Sequence, residues 1–516
     1  MSATKEWDCF AATWVIIAGA LLMRLVLSSQ FLISPDEANY WQWSRYLELG
    51  YHDHPPMIAW TIWLATKIFG QNEFAVRLPS VLGLSIASVY IANLAGRWFS
   101  WRCAFHTTLL LQGILLYNGA ALVATPDGML LPCWAGAIYH AGIALERGKL
   151  GQWLLTGVWF GLGLLSKYTI LLFLPSLLIY SFFANRYRAR LFRPEPWFGF
   201  IMSIIIFIPV IIWNSKHEWA TFRHVLYMGG ANDSNFFTLN YVGDFLASQV
   251  AVLSPVFFFS LLLVWFKGTG NKRLRNDDAQ FLMWTSLTTF LIFFFLSLHS
   301  RVYGNWPAAG YLTGIVLLAT AYSPGRPGYD YGSKHRLWKT IVVTAYLLCI
   351  PVLIQPVFAI LPLPVDLDRT ARETKGWDTL GLAVNEAKEK MPNPDNTFVF
   401  GLRYQIASEL AFYMPGQPRT VSINRWNRPN VYDYWFKDEE LIGKDGIGVT
   451  RNLDSIAKLR QIFKKVDEPQ EIKIYRHSPW HGEELVKTLY IYKGYGFKGG
   501  LSWIPQDKND IRAKMK

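Results

Sequence analysis

Residues 104–145 read AFHTTLLLQGILLYNGAALVATPDGMLLPCWAGAIYHAGIAL, an apolar block with a Thr-Pro-Asp-Gly turn at residues 125–128. One crossing of a bilayer takes about 20 predominantly apolar residues, so a block of this length can cross once with a kink or cross twice. Basic residues decide between the two, because Arg102 precedes the block and Arg147 follows it. Since Lys and Arg in short loops favour the cytoplasm, both ends are predicted to lie inside, and the block to cross and return.

The other apolar runs of the chain extend this pattern. Of the 516 residues, 52% are hydrophobic and 16% are aromatic, which excludes a disordered chain and a purely soluble enzyme. The predicted spans are residues 10–27, 74–95, 104–123, 129–145, 151–165, 169–183, 197–213, 245–266, 281–298, 308–322 and 340–361. The expected fold is a polytopic all-α membrane bundle of about eleven helices, with the N-terminus cytoplasmic and the C-terminus outside.

The distribution of the net charge of +13 does not indicate nucleic-acid binding, and the positions of the four cysteines do not indicate a cysteine metal site or a disulfide framework. Basic residues at span ends are explained by topology and by anionic lipid headgroups, so we expect membrane lipids and no nucleic acid as partners. Cys9, Cys103, Cys133 and Cys349 lie in or beside apolar spans without metal-ligand spacing, which is typical of small core residues. The C-terminal region contains none of them, so no disulfide framework is expected there.

The chain changes character after Leu361, where a polar stretch begins that has no segment able to span a bilayer. We therefore divide the sequence into a transmembrane domain, residues 1–361, and a C-terminal water-soluble domain, residues 362–516. Alternating apolar residues predict strands at residues 396–401, 420–424, 470–475 and 486–492, and helical spacing predicts helices at residues 379–390 and 456–463. The second domain is expected to be a small α/β domain outside the membrane.

This topology places the polar motifs of the first domain on the external side. They are Asp36 with Glu37, residues 52–56, Asp127, Lys167 with Tyr168, residues 213–219 and residues 299–307. Charged groups beside hydrocarbon are costly, so carboxylates and cations gathered at one boundary indicate a functional site. The alternative is a set of solvated loops with interfacial aromatic residues. The one-sided distribution favours a site, because the cytoplasmic loops carry mostly Lys and Arg.

Single motifs also have structural explanations. Asp127 follows a proline that begins a helix, and a carboxylate in a first turn is stabilised by free N–H groups and the helix dipole. Lys167 can extend its ammonium to the interface, as lysines at span ends commonly do, or pair with a lipid phosphate. Arg301 is suited to phosphate because its planar guanidinium can make bidentate contacts.

A candidate metal site also has two interpretations. Asp53, His217 and His224 could together hold a divalent metal, but their spacing is not that of a zinc site. Because of that spacing, histidines on a helix surface are the favoured explanation of His217 and His224. A divalent metal is therefore the one cofactor that the sequence leaves open.

Taken together, the motifs resemble the GT-C glycosyltransferases that use a polyprenyl-phosphate sugar, specifically bacterial relatives of protein O-mannosyltransferases and lipid A aminoarabinose transferases. The resemblance rests on Asp36-Glu37, the Pro-Pro loop at residues 51–56, residues 75–80, 125–128, 164–168 and 305–307, and residues 411–416. One position departs from the pattern: aminoarabinose transferases typically have Glu-Lys before Pro-Pro, where this chain has Asp53-His54. The positive charge at that position therefore depends on pH.

The resemblance implies transfer of a sugar from an undecaprenyl-type phosphate to an envelope acceptor, with lipid A or lipopolysaccharide core favoured. The reaction is expected on the periplasmic face of the bacterial inner membrane. Asp36, Glu37 and Asp127 are the implied catalytic residues, with Asp36 activating the acceptor. The implied substrate-binding residues are His52, Asp53, His54, Lys167, Tyr168, Arg301, Asn305 and Trp306, of which Lys167 and Arg301 are expected to bind the donor phosphate.

Two other functions remain open. A protein O-mannosyltransferase-like enzyme would share the fold and the class of donor but use a Ser or Thr hydroxyl. A lipid-linked sugar flippase or transporter would also place charges around an apolar groove. Transporters hold their coupling charges near the midplane and often contain inverted repeats, so the one-sided motifs favour the transferase.

Overall fold

The computed structural model describes residues 3–183, 188–230, 237–268, 276–324, 332–423 and 430–500. Up to residue 361 the described chain is helical. Its helices are α1 (Ala3–Leu27), α2 (Pro35–Arg45), α3 (Met57–Phe69), α4 (Glu73–Trp98), α5 (Trp101–Gly113), α6 (Leu115–Leu122), α7 (Pro126–Arg147), α8 (Leu150–Ser166), α9 (Phe173–Phe183), α10 (Arg188–Leu191), α11 (Pro194–Lys216), α12 (Ala220–Met228), α13 (Asn240–Leu253), α14 (Pro255–Gly268), α15 (Asp277–Ser297), α16 (Ala308–Tyr322) and α17 (Ser333–Phe358).

Several of these helices are suited to a bilayer by length and composition, and they indicate a membrane-embedded protein. Six described helices qualify individually, namely α1, α4, α7, α11, α15 and α17. The pair α13 and α14 would add a seventh if it forms a single span, but it is bent by 110°. Shorter apolar helices include α3, α8 and α16. The predicted polytopic helical bundle is confirmed, and the number of crossings stays a prediction.

Two predicted spans are not continuous helices. The segment 245–266 bends between α13 and α14 at Ser254, whose φ is 80°. The segment 104–123 breaks between α5 and α6, where the Asn118 side chain donates to the carbonyls of Gln112 and Ile114 at 2.9 and 3.0 Å. Arg24 of α1 donates in turn to the Asn118 side chain. These bonds satisfy polar groups that a break inside an apolar environment would otherwise leave unpaired.

The loop after α1 contains two helices that hydropathy did not predict. Helix α2 is short and rich in polar residues, and α3 is apolar but has 13 residues, fewer than a span requires. Helix α2 lies under the C-terminal region: the Gln42 amide donates to Tyr432 Oη at 3.1 Å, and the Trp41 and Phe412 rings meet edge to face. The first loop is therefore a folded layer between the bundle and the C-terminal sheet.

In the described residues the C-terminal region is a six-stranded sheet with helices, which confirms the predicted α/β character and includes the four predicted strands. Its elements are α18 (Arg369–Thr374), α19 (Trp377–Glu389), β1 (Thr397–Gly401), α20 (Tyr404–Tyr413), β2 (Thr420–Ser422), α21 (Tyr432–Trp435), β3 (Asp445–Thr450), α22 (Ser455–Ile462), β4 (Phe463–Val466), β5 (Gln470–Ser478) and β6 (Gly482–Phe497). The strand order is β2-β1-β3-β6-β4, and β5 pairs with β6. Strand β1 is parallel to β2 and β3, and the β6 pairings are antiparallel.

Strands β3 and β4 are absent from the predicted set. The sequence of β3, Asp-Gly-Ile-Gly-Val-Thr, contains two glycines, which are uncommon in strands. Strand β4 begins at Phe463, the last residue of the predicted helix 456–463. Asn424, at the end of the second predicted strand, lies outside the described residues. The boundary at residue 361 stays a prediction; α17 ends at Phe358.

Candidate active site

Two neighbouring carboxylates in the first turn of α2 have different surroundings. Asp36 is exposed, whereas Glu37 is fully buried. Helix α2 begins at Pro35, and carboxylates in a first turn are stabilised by the free N–H groups there. Adjacent helical residues point in directions about 100° apart, so one can face a cavity while the next faces the core.

Glu37 is held by donors from three parts of the chain. Arg77 of α4 makes a bidentate contact with its carboxylate at 2.8 and 3.0 Å. The backbone N–H groups of Ser34 and Ala124 donate to the same carboxylate at 2.8 and 3.0 Å. The Arg77 guanidinium also donates to the carbonyls of residues 28, 31 and 32. Glu37 therefore ties the first loop to α4 and to the segment before α7.

Asp127, Lys167 and Asn305 form one contact group. The Lys167 ammonium lies 2.8 and 2.9 Å from the two Asp127 oxygens, and both side chains are mostly buried. The Asn305 amide donates to Asp127 Oδ2 at 2.8 Å. Asp127 is placed by a close approach of α4 and α7, because a Cβ at Gly83 would lie 2.2 Å from the Gly128 carbonyl oxygen. Three predicted site residues thus meet although they lie far apart in sequence.

A second group contains two of the three candidate metal ligands. His52, Asp53 and His224 are buried, and one ligand atom from each lies within 4.8 Å of the others. His224 Nε2 is 3.4 Å from Asp53 Oδ1, and His52 Nδ1 is 3.1 Å from Tyr434 Oη. Two imidazoles and a carboxylate are a donor set that suits zinc and leaves a fourth position open.

His217, the third candidate metal ligand, is not a member of this group. Its ring stacks on Trp213 with centroids 4.0 Å apart, and its Nδ1 is 2.7 Å from the Trp213 carbonyl oxygen. Among the described residues, His52 takes the place in the metal-ligating group that the sequence had assigned to His217. His52 had been predicted as a substrate-binding residue.

His54 occupies the position where aminoarabinose transferases were expected to carry lysine. Burial, and then the nearby Lys167 ammonium, lower the pKa of His54 to about 4. Its ring centroid lies 6.2 Å from that of Tyr40. At neutral pH this position therefore carries an uncharged imidazole, and Lys167 is the nearby cation.

Arg301, Trp306 and Tyr168 are the remaining predicted residues, and each lies against an aromatic ring. Arg301 is exposed, and its guanidinium is 5.6 Å from the Tyr303 ring centroid. The Trp306 ring packs against Tyr303 and Phe293, with centroids 5.7 and 5.8 Å apart. The Tyr168 ring lies 5.5 Å from that of Phe222. The two cations expected to bind the donor phosphate therefore have different partners: Arg301 lies over the Tyr303 ring, whereas Lys167 pairs with Asp127.

Tyr40 is a central residue that the sequence did not single out. Burial raises the pKa of Tyr40 well above its usual value, and the carboxylates of Asp36, Asp53 and Asp127 raise it further. The charges of these three carboxylates therefore act on one buried phenol. Its position in the sequence could have indicated this role: Tyr40 follows Asp36 by four residues and so lies on the same face of α2.

Named transferases are similar to this chain in sequence. Residues 53–213 match the family model described as dolichyl-phosphate-mannose-protein mannosyltransferase. Lipid A galacturonosyltransferase RgtD of Rhizobium johnstonii is 28% identical over 314 residues, which are 59% of this chain and 64% of that protein. The undecaprenyl phosphate-alpha-4-amino-4-deoxy-L-arabinose arabinosyl transferase of Pseudomonas savastanoi pv. phaseolicola is 26% identical over 306 residues, 53% of this chain and 55% of that protein. The chain thus matches less than two thirds of the length of either relative.

Solved structures extend the similarity to nearly the whole chain. The apo crystal structure of ArnT from Cupriavidus metallidurans superposes with a TM-score of 0.62 at 14% identity, covering 95% of this chain and 98% of ArnT. The structure of ArnT bound to undecaprenyl phosphate gives a TM-score of 0.60 at 16% identity. At such identity a superposition is informative about fold. The chain therefore has the GT-C glycosyltransferase fold that its motifs predicted.

Proposed function

We propose that this protein is an integral-membrane glycosyltransferase that moves a sugar from a polyprenyl phosphate to lipid A or lipopolysaccharide core. The observation that carries the proposal is the arrangement around Tyr40. Asp36 is exposed in the first turn of α2, four residues before Tyr40, and the charges of Asp36, Asp53 and Asp127 all act on this buried phenol and raise its pKa. The names of the relatives support it, since they are a lipid A galacturonosyltransferase and an undecaprenyl phosphate aminoarabinose transferase.

The proposed reaction is a single displacement at the anomeric carbon of the donor sugar. An acceptor oxygen forms a bond to that carbon, and the bond from the carbon to the phosphate oxygen breaks. The electron pair leaves with the polyprenyl phosphate. When the acceptor is a hydroxyl, its proton passes to the Asp36 carboxylate, which acts as general base. An acceptor phosphate is already deprotonated, and Asp36 then orients it.

The buried groups would receive the donor phosphate. The Lys167 ammonium is held by Asp127 and lies beside the uncharged His54. A cation fixed in a dry site stabilises charge that develops on a leaving group, because the protein need not reorganise during the reaction. We propose that Asp127 and Asn305 position this cation and that Glu37 positions α2, so that Asp36 is the carboxylate that meets the acceptor.

The same region fits a divalent metal. His52, Asp53 and His224 would hold the ion, and its charge would support that of Lys167 next to the phosphate. The short distance between His224 Nε2 and Asp53 Oδ1, 3.4 Å, supports the assignment of both as ligands of one ion.

We propose the bacterial inner membrane as the location, with the site and the C-terminal sheet on the periplasmic face. The basic loops at the opposite ends of the spans support this orientation. The same side of the membrane would give access to lipid A after its export.

The test is mass spectrometry of lipid A and core oligosaccharide from cells lacking this gene, complemented with wild type or with Asp36→Asn. We expect loss of one sugar mass that wild type restores and Asp36→Asn does not. Asp378→Asn is the matched control, because Asp378 is also an exposed carboxylate at the second position of a helix, α19.

Other outcomes would redirect the proposal. Full transfer by Asp36→Asn would contradict the role of this carboxylate. An unchanged envelope profile together with altered protein glycosylation would favour the protein mannosyltransferase alternative, to which the matched family model points. Accumulation of an intact lipid-linked sugar on the cytoplasmic face would favour the flippase.

A further inference from the structure

A polar cavity of about 460 Å³ lies between the first turn of α2 and the C-terminal sheet. Its charged lining consists of the cations Arg369, Arg372, Arg403, Arg451 and Lys487 and the carboxylates Asp36 and Glu373. Arg369 and Glu373 pair with each other at 2.5 Å. Among the described lining residues the remainder is therefore strongly cationic, with Asp36 as the further carboxylate.

The sheet topology brings two of these arginines together. Strands β1 and β3 are parallel neighbours, and Gly401 of β1 is in register with Val449 of β3. Arg403 and Arg451 each follow these paired residues by two positions, so both emerge at the carboxyl edge of the sheet. In α/β sheets this edge is the usual place for ligands.

The charge of the two arginines is only partly offset by the described protein, since Glu373 and Glu409 oppose the lowering of the Arg451 pKa. Within the described ranges, neither Arg403 nor Arg451 forms an ion pair with a carboxylate. Burial, and then the like charge of Arg403, lower the pKa of Arg451. Holding two guanidinium groups together is costly unless an anion lies between them, since like charges in a partly dry site repel strongly.

Helix α20 adds a further attraction for anions. It begins at Tyr404, directly after Arg403, and its first-turn residues Gln405 and Ile406 line the cavity. The free N–H groups and the dipole at a helix N-terminus favour negative charge. Cations, a helix terminus and a strand edge thus converge on the cavity that Asp36 borders.

We infer that this cavity binds the anionic headgroup of the acceptor, a phosphorylated saccharide, and holds it against Asp36. The inference rests on the proposed function and specifies the acceptor side of the same site. The lining is mainly charged and most of it comes from the C-terminal region, which suits a headgroup better than a prenyl chain. Donor and acceptor would then approach from opposite sides of α2, with Lys167 near the first and the arginines near the second.

The test measures acceptor binding to the full-length protein in nanodiscs. Its ligands are bisphosphorylated lipid A, the same lipid A with its phosphates removed, and inorganic pyrophosphate. Wild type should bind the bisphosphorylated form at least about tenfold more tightly than the dephosphorylated form. Arg403→Gln and Arg451→Gln should each remove most of this preference. In transfer assays they should raise the KM for the acceptor and leave kcat and the KM for the donor nearly unchanged.

Arg419→Gln is the matched control. Arg419 lies immediately before β2, at the opposite edge of the same sheet, and pairs with Glu440 at 3.2 Å. This variant should keep the preference for the phosphorylated form. Retention of that preference in Arg403→Gln and Arg451→Gln would overturn the inference.

The remaining outcomes separate this inference from the proposed function. If pyrophosphate binding depends on the two arginines but lipid A phosphates make no difference, the cavity serves a free anion and the acceptor assignment is wrong. If the phosphate preference is present but wild type transfers no sugar, the proposed function fails while the cavity still binds the headgroup. Transfer that continues without any phosphate preference overturns the inference alone.

Discussion

At the residue scale, three ion pairs have the same length and very different burial. The nitrogen and oxygen atoms are 2.8 Å apart in Arg77–Glu37, Lys167–Asp127 and Arg97–Glu146. The side chains of the first pair are 0% exposed, whereas those of the last are 27% and 37% exposed. Removing one member of a buried pair leaves a charge that water cannot solvate, so the cost follows burial and not distance.

The replacement Glu37→Gln tests this difference. It leaves the fully buried Arg77 guanidinium without a counter-ion, and we expect it to destabilise the protein by about 3 kcal/mol. Thermal unfolding in detergent measures the effect as a lower Tm. The control Glu146→Gln removes the exposed partner of Arg97 and should cost less than about 1 kcal/mol. Equal Tm values for the two variants would contradict the structural role of Glu37.

At the element scale, the position of Asp127 depends on how closely α4 and α7 pack. Glycine is needed on both helices: a Cβ at Gly83 would lie 2.2 Å from a backbone oxygen, and one at Gly128 would lie 2.4 Å from Ser80 Oγ. Backbone atoms cannot turn aside as a flexible side chain can. The two glycines therefore fix the distance between the helices, and with it the place of the adjacent Asp127.

We expect Gly83→Ala to push α4 and α7 apart, with loss of about 1–3 kcal/mol. Transfer should fall with stability, because Asp127 and its partner Lys167 move relative to α2. Gly119→Ala is the control, since a Cβ there meets no heavy atom within 4 Å. Alanine is the better helix former, so this control should be neutral or slightly stabilising. A stable and active Gly83→Ala protein would contradict the close approach of the two helices.

At the scale of the whole molecule, the candidate site is assembled from the bundle, the first loop and the C-terminal sheet. Tyr434 reaches His52 from the sheet side, and Asp36 faces the cavity that the sheet residues line. Glu409 of α20 is fully buried between these layers, and burial raises its pKa well above the usual value. The C-terminal region is thus part of the site's wall.

We expect Lys487 to make the proposed anion binding by this wall dependent on pH. Burial lowers the pKa of Lys487 to about 7; the Glu409, Glu373 and Asp378 carboxyl groups oppose the shift, and Arg451 adds to it. The Lys487 amine takes up a proton as pH falls through 7, and the resulting ammonium makes the cavity more cationic. Sulfate binding should therefore be tighter at pH 6 than at pH 8, since sulfate itself does not titrate there.

Calorimetry of sulfate binding to the full-length protein checks this expectation. Lys487→Met should flatten the pH dependence, because it removes the titrating ammonium. Lys473→Met is the control, as Lys473 lies on β5 and does not line the cavity. An unchanged pH profile in Lys487→Met would show that another group titrates.

The sequence predicted elements whose signals are local. Long apolar runs such as residues 129–145 became α7, and residues 308–322 became α16 with the same bounds. It missed α3, which is too short for a span, and β3, whose Gly448 is required because a Cβ would lie 2.2 Å from the Phe400 ring. The break between α5 and α6 was also missed, since it depends on Arg24 from another helix.

The sequence predicted many residues of the candidate site but only part of their spatial grouping. The sequence selected Asp127, Lys167 and Asn305, and the structure brings these three into contact. It grouped His217 with Asp53 and His224, where the structure places His52. It gave no indication of Arg403 and Arg451, because their proximity follows from the parallel register of β1 and β3.

The sequence by itself determined the polytopic class, the α/β character of the C-terminal region and the polar motifs at the ends of apolar runs. These properties depend on hydropathy and charge within a few turns of the chain. Only the tertiary structure decided which of two adjacent carboxylates is exposed. Glu37 is enclosed by Arg77 and Ala124, 40 and 87 positions away, while Asp36 is left facing the cavity. Burial of a side chain is set by such distant contacts, which no local pattern contains.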